Sequence, residues 1–283
     1  MKRLGQHFLQ NRSAIRKIVG AVELKPGDTI VEIGPGHGEL TEELLGFSCE
    51  LLEKNGSPPI KVIAIEKDPK LANDLRSRIY DLGIKDIEIL NGDALSILKS
   101  KFINLKSEYK IVGNIPYYIT GKLLRILSEL STKPELCVFT IQKEVAERIC
   151  AAPPRMNRLA AIVQFWADPQ LIGLIPRKDF DPQPEVDSAI VKLSVKCHVS
   201  GVREQLYYKT VKILFAQPRK TILNNMCQVS SIRCQDRSRK TTGKPESKES
   251  IAETLIKMGV DPKSRPQNLS VEDIVRIARA MAS

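Results

Sequence analysis

Between Thr29 and Gln142, short runs of β-branched and aliphatic residues alternate with longer stretches in which apolar side chains recur every three to four positions. The runs Thr29–Ile33, Lys61–Ile65, Ile87–Leu90, Lys110–Val112 and Leu136–Ile141 have the length and composition of strands. Leu71–Tyr80 and Leu123–Leu130 carry the helical spacing. Such alternation predicts βαβ units, and so a mostly parallel, Rossmann-like α/β sheet covered by helices on both faces.

Leu159–Ala167 and Ala189–Val195 also read as strands. The segment between them, Phe180-Asp-Pro-Gln-Pro-Glu-Val-Asp-Ser188, cannot be a central strand, because its two prolines remove ladder donors. After Cys197 the strand signal fades, and the helical segments Glu204–Ala216, Ser250–Lys257 and Val271–Ala282 predict a small α-helical domain. A chain of 283 residues suits that division, with a catalytic domain over 1–196 and a helical domain over 197–283. The polar stretch Ser230–Lys248, with Arg233, Arg237, Arg239, Lys240, Lys244 and Lys248, is expected to be a mobile loop.

Parallel sheets of this kind bind ligands beyond the carboxyl ends of their strands, so the residues that follow each strand carry the information. The first strand runs into Glu32-Ile-Gly34-Pro-Gly36-His-Gly38, a turn whose glycines let the backbone approach a nucleotide-like ligand; a dinucleotide site has the same feature. The second ends at Glu66, either an acceptor for both hydroxyl hydrogens of a ribose or a solvated acid paired with Lys67. After the third comes Asn91-Gly92-Asp93-Ala94, in which Asp93 suits an adenine amino group and suits a helix N-cap equally.

The fourth strand ends in Gly113-Asn114-Ile115-Pro116-Tyr117, the most specific of these signals. An exocyclic adenine amine is a poor nucleophile because its lone pair is delocalised into the ring. The side-chain oxygen of Asn114 and a main-chain carbonyl of the Ile115–Pro116 segment can hold both N–H bonds and draw the nitrogen toward tetrahedral geometry. The lone pair is then free to attack a methyl sulfonium. Tyr117 offers a face on which an extruded base can stack, worth ~1–3 kcal/mol. Asn-Ile-Pro-Tyr is also an ordinary way to end a strand; its register with the other strand ends favours methyl transfer.

Composition narrows the partners. A net charge of +11, from 44 Lys and Arg against 33 Asp and Glu, favours a polyanion. No apolar run approaches the ~20 residues of a membrane span, and the opening Met1–Gln10 lacks an apolar core and a cleavage site, so a cytoplasmic protein with no membrane role is expected. The six cysteines form no CxxC pair and are expected to be free thiols, and the three histidines lack metal-ligand spacing, so no metal is expected.

With Leu4-Gly-Gln-His-Phe-Leu9, Phe180-x-Pro-x-Pro-x-Val-Asp-Ser188 and Arg219-Lys-Thr-Ile-Leu-Asn224 added to the four strand ends, the sequence resembles the KsgA-type ribosomal RNA adenine dimethyltransferases, with the Erm enzymes as relatives. The resemblance runs over nearly the whole chain. It implies S-adenosyl-L-methionine as methyl donor, with S-adenosylhomocysteine as product, held by His7, Leu9, Gly34, Glu66, Asp93 and Asn114; the same motifs bring in Gly36 and Ala94. It implies Asn114, Ile115, Pro116 and Tyr117 at the target adenine, with Phe180 as a second aromatic wall, and Arg219 and Lys220 on the RNA. The implied substrate is a pair of adjacent adenines in the 3′-terminal hairpin of small-subunit rRNA, met in a pre-ribosomal 30S-type particle by a monomeric enzyme. Alternatives are an Erm-type enzyme acting on large-subunit rRNA and an assembly checkpoint in which methylation is secondary. The sequence departs from the family at His7, usually Asn, at Thr120-Gly121-Lys122, at Asn157-Arg-Leu-Ala160 and at Pro218, where a third basic residue is usual.

Overall fold

A computed structural model describes residues 6–55, 58–101, 108–196, 202–235 and 247–281. The chain divides into two compact units, one formed by residues 1–147 and 167–196, the other by 148–166 and 197–283. The elements of the first unit are β1 (Phe8–Leu9), α1 (Arg12–Val22), β2 (Thr29–Ile33), α2 (Glu39–Asn55), β3 (Lys61–Glu66), α3 (Pro69–Asp81), β4 (Ile87–Asn91), α4 (Ala94–Lys101), β5 (Lys110–Asn114), α5 (Thr120–Glu129) and β6 (Leu136–Gln142). The chain continues through α6 (Lys143–Ile149) and α7 (Arg158–Trp166), returns to the first unit with β7 (Ala167–Ile175), β8 (Phe180–Asp181) and β9 (Ser188–Val195), and ends in α8 (Glu204–Leu214), α9 (Ile222–Gln235), α10 (Lys248–Lys257) and α11 (Val271–Ala280).

In the first unit a seven-stranded sheet has the order β4-β3-β2-β5-β6-β9-β7. Its first five strands are parallel, β9 runs antiparallel to them beside β6, and β7 pairs antiparallel with β9 at the edge. The central strands are apolar on both faces, as a sheet sandwiched between helices requires: Ile30, Val31, Val62, Ala64, Ile111 and Val112 are all buried. The chain crosses from one side of β2 to the other between β4 and β5, which opens a crevice above the carboxyl ends of β2 and β5.

Helix α1 shows why the helices lie where they do. Ile15, Ile18, Val19 and Val22 recur at helical spacing and are buried, and the Asn11 side chain caps the first turn by accepting from Ala14 N. The helix ends at Glu23 in the left-handed region, φ 52°. The Glu23 carbonyl accepts from the buried Lys110 Nζ at 2.6 Å, and the same ammonium meets Asp28 Oδ2 at 2.8 Å. The C-terminus of α1 is thus tied to the amino end of β5.

Three expectations are corrected. Leu159–Ala167 is a helix rather than a strand, since Asn157 Oδ1 accepts from Leu159 N and Ala160 N, both at 3.0 Å, and starts α7. A short helix with only Arg158 and Gln164 as polar residues has no polar face to reveal its period, so its pattern reads like a buried strand. This helix belongs to the second unit: Tyr207 Oη donates to Ala161 O at 2.9 Å, and the Phe165 and Tyr207 rings stack at 3.9 Å. Residues 148–166 therefore fold with the helical part and not with the catalytic domain drawn over 1–196. Third, α9 runs on to Gln235 and α10 starts at Lys248, both inside the stretch expected to be a loop; the remainder of that stretch, 236–246, lies outside the described residues.

The core of the helical unit is formed by Phe165, Tyr207, Val211, Leu214, Ile251, Leu255, Ile274 and Ile277. Cys49, Cys137, Cys150 and Cys227 are free thiols; Cys197 lies outside the described residues. Among the described residues no helix is long and apolar enough to cross a membrane.

Candidate active site

The crevice is built from the ends of β2, β3, β4 and β5. Strands β2 and β5 approach closely there: a Cβ on Gly113 would stand 2.5 Å from the Ile33 carbonyl oxygen. Gly36 has φ +62°, and a Cβ on it would meet the Phe8 ring at 2.8 Å, so the turn after β2 admits only glycine at that position.

The buried Glu66 carboxylate braces this turn. Its Oε2 accepts from Gly36 N at 3.1 Å and its Oε1 from Asp68 N at 2.8 Å. Lys67 turns away and donates to Asp93 Oδ2 at 3.1 Å. Asp93 Oδ1 accepts from Leu95 N at 2.9 Å and Ser96 N at 3.3 Å, so it does cap α4 while its side chain borders the crevice. Burial pushes the Asp93 carboxyl up, but the Lys67 ammonium and the α4 amides outweigh burial and hold it below its ordinary range. Behind the turn, the buried Glu32 accepts from Thr41 Oγ1 at 2.6 Å. Burial, with the Glu66 and Glu39 charges acting in the same sense, raises its pKa to about 8 despite the Thr41 bond.

At the end of β5 the Asn114 Nδ2 donates to the His7 carbonyl at 2.7 Å, which leaves Oδ1 on the other side of the amide. Ile115 N donates to Thr140 O at 3.0 Å, and the Pro116 carbonyl accepts from Ile119 N at 3.0 Å. Among the described residues none donates to the Ile115 carbonyl. The Tyr117 hydroxyl and Ser188 Oγ share a 2.8 Å hydrogen bond, and burial pushes this phenol above its ordinary range, although the Ser188 bond acts against the shift. On the facing side, the His7 ring stacks with Tyr117, centroids 5.8 Å apart and planes 28° apart, and its Nδ1 donates to Pro182 O at 2.6 Å.

The resulting cleft is open to solvent. His7, Gly34, Gly36, Glu66, Asp93 and Ala94, named from the sequence for the cofactor, all line it. So do Asn114, Ile115, Pro116 and Tyr117, named for the target base. Leu9 and Phe180 do not. They are partners in the β1–β8 ribbon, Leu9 opposite Phe180, and directly opposed residues point to one face; here that face is the apolar core. Phe8, one residue earlier, takes the other face and lines the cleft, an alternation that a two-residue strand is too short to announce. Lys67 and the half-exposed Tyr118 also line it and were not anticipated. Arg219 and Lys220 are exposed on the turn between α8 and α9 of the helical unit.

A seven-stranded sheet of this order, with a glycine turn after β2 and a buried acid at the end of β3, defines the class of S-adenosylmethionine-dependent methyltransferases. The cleft fits that cofactor chemically: the acceptors Glu66, Asp93 and Asn114 line it together with Gly34, Gly36 and Gly92, which add no side chain to fill it. The model of the family described as ribosomal RNA adenine dimethylase matches residues 1–282, and the chain belongs to that family. It is 36% identical, over 96% of its length and 85% of the relative's, to a "Ribosomal RNA small subunit methyltransferase A" of Dehalococcoides mccartyi. Among solved structures it is similar to a dimethyladenosine transferase from Plasmodium falciparum, with 25% identity, TM-score 0.75 and 96% of each chain covered. It is also similar to the 23S rRNA methyltransferase ErmE, with 25% identity, TM-score 0.69, and 98% of this chain and 100% of that one covered.

Proposed function

We propose that the protein dimethylates N6 of adenine in small-subunit rRNA, on two adjacent adenines of the 3′-terminal hairpin, acting as a monomer on a pre-ribosomal particle in the cytoplasm. The observation that carries this reading is the pair of acceptors at the end of β5. The His7 carbonyl fixes the Asn114 amide, and of the two carbonyls in the Ile115–Pro116 segment, that of Ile115 is the one without an internal donor. A flat amine offers two N–H bonds, and two acceptors set out of its plane draw the nitrogen toward a tetrahedral shape, concentrating its lone pair.

S-adenosylmethionine, when bound, supplies an electrophilic methyl on a sulfonium. The residues that would hold it are His7, Gly34, Gly36, Glu66, Asp93 and Ala94, all at the cleft. Asn114 Oδ1 and the Ile115 carbonyl hold the amine; Tyr117, kept in place by Ser188 and backed by His7, carries the base on its ring. After the first transfer one N–H remains, and one acceptor suffices to orient the nitrogen for the second. The alkylated nitrogen is acidic enough to give its proton to water, so no strong base is needed.

The names of the curated relatives favour the small subunit, while the likeness to ErmE keeps large-subunit RNA as the second reading. Unmethylated small and large ribosomal subunits, offered with methyl-labelled S-adenosylmethionine and mapped for labelled adenine, separate them. Dimethyladenine in small-subunit rRNA alone is expected. Label confined to the large subunit overturns the substrate, and label on any other atom overturns the chemistry.

A further inference from the structure

Lys67 lines the cleft without a place in the proposed reaction, and its ammonium stands on an acid named for the cofactor. The Asp93 carboxylate divides its two oxygens between separate tasks. Oδ1 accepts from Leu95 N at 2.9 Å and Ser96 N at 3.3 Å and is committed to the start of α4. Oδ2 accepts from Lys67 Nζ at 3.1 Å, and among the described residues it has no other donor. A purine 6-amino group that donates to Asp93 therefore approaches Oδ2, the oxygen that Lys67 already holds.

The backbone beneath this pair is fixed. Strands β3 and β4 run side by side as far as Glu66 and Asn91, and beyond them Gly92 N donates to Glu66 O at 2.8 Å while Asn91 Nδ2 donates to the same carbonyl at 3.0 Å. What moves is the flexible four-carbon stem of Lys67. The Lys67 and Asp93 side chains are 51% and 39% exposed, so the ion pair is half in water and changes an equilibrium constant by no more than about fivefold. The Asp93 bond and charge, with a smaller contribution from Tyr118, hold the ammonium above its ordinary range, so it stays a charged donor. An incoming 6-amino group meets that ammonium as a competitor. A 6-oxo group meets the opposite situation: a bare carboxylate repels its lone pairs, whereas an ammonium lying between the two oxygens donates to both.

We propose that Lys67 is a specificity-determining residue of the cofactor site, competing with the 6-amino group of the cofactor for Asp93 Oδ2 and offering a donor to a purine that carries a 6-oxo group instead. This rests on the reading of Asp93 as the acceptor for the adenine of S-adenosylmethionine. It adds a ligand: the cleft admits the deaminated nucleoside S-inosylhomocysteine, which a carboxylate alone would turn away. A site that hydrogen-bonds an amine rejects a ligand lacking it because its own polar group is left unpaired, and Lys67 relieves that penalty.

The test measures Kd for S-adenosylhomocysteine and S-inosylhomocysteine by calorimetry, using the full chain, with thermal unfolding recorded for every variant. The two ligands carry the same charge, so loss of a cation by itself acts on both alike. Lys67→Met is expected to tighten S-adenosylhomocysteine by up to about fivefold and to weaken S-inosylhomocysteine by about tenfold. Lys67→Arg keeps a charged donor and is expected to hold the ratio of the two Kd values near that of the wild type. Asp93→Asn keeps a cap on α4 and is expected to weaken S-adenosylhomocysteine by about tenfold. If Asp93→Asn has that effect while Lys67→Met shifts both ligands equally or neither, the inference is overturned and the cofactor site stands. A wild-type protein that binds S-adenosylhomocysteine but not S-inosylhomocysteine overturns it in the same way. Undiminished S-adenosylhomocysteine binding by Asp93→Asn overturns the placement of the adenine, and the inference with it. A wild-type protein that binds neither ligand counts against the proposed function itself.

Discussion

The side-chain amide of Asn114 donates to the main-chain carbonyl of His7 across 2.7 Å, so a residue at the end of β5 is oriented by one that lies 107 positions earlier in the chain. Replacing Asn114 by Ala removes the oxygen that the proposed reaction uses. The expected outcome is a fall in kcat of about 10²–10³-fold, comparable to loss of one aimed polar group in other enzymes, with Kd for rRNA unchanged. Undiminished methyl incorporation by this variant sinks the proposed mechanism.

Tyr117 carries two separable functions, a ring face and a hydroxyl tied to Ser188. Tyr117→Phe keeps the face and is expected to lose less than tenfold in kcat/KM. Tyr117→Ala loses the stack, about 1–3 kcal/mol, or roughly 5- to 150-fold. Single-turnover rates with rRNA measure both, and equal losses in the two variants would show that the hydroxyl rather than the ring matters.

Glu32 makes stability depend on pH. Its folded pKa of about 8 stands above the ordinary 4.5, so its contribution is full below pH 4.5 and is lost as pH rises through 8. Glu32→Gln mimics the protonated acid and can still accept from Thr41. The variant is expected to gain on the wild type between pH 5 and 8 by up to about 1.4 kcal/mol per pH unit, read from urea unfolding of the ligand-free protein. Parallel stability curves for the two proteins would mean that Glu32 is ionised throughout.

Lys110 sits at the opposite end of β5 from Asn114. Its ammonium is buried between the Glu23 carbonyl and Asp28, so Lys110→Ala removes the cation from the helix end and leaves Asp28 with only the Lys25 amide. A loss of about 3 kcal/mol is expected in chemical denaturation, with kcat unchanged at a temperature where the variant is folded. A variant as stable as the wild type would show that water replaces the ammonium at no cost.

Much of the first unit is legible in the sequence because its buried parallel strands are short apolar runs set between helical stretches of clear period. Thr29–Ile33 has the boundaries read from the pattern, and β3, β4, β5 and β6 differ by one or two residues at their ends. The strand ends were legible for the same reason, since a glycine, an acid or an amide right after such a run has a fixed place at the sheet edge. Strand β7 escaped notice because Pro169 and Gly173 break its pattern; an edge strand tolerates both, and its register shifts at Leu171/Gly173. Helix α7 escaped because a run this short and apolar shows no polar face to fix its period. Leu9 and Phe180 pack in the core beside the cleft for a subtler reason: motif membership says that a segment is near the site, whereas the pleat decides which of two neighbours, Phe8 or Leu9, faces it.

The ribbon that joins β1 to β8 also sets an order of events. The His7 ring, which lines the cleft, bonds Pro182 O, 175 residues further along. A nascent chain that has made β2 to β5 therefore already holds Gly36, Glu66, Asp93 and Asn114, yet the wall that aims the Asn114 amide stays open until the segment around Pro182 has been synthesised. The first residues of the site are thus the ones whose partners are made last.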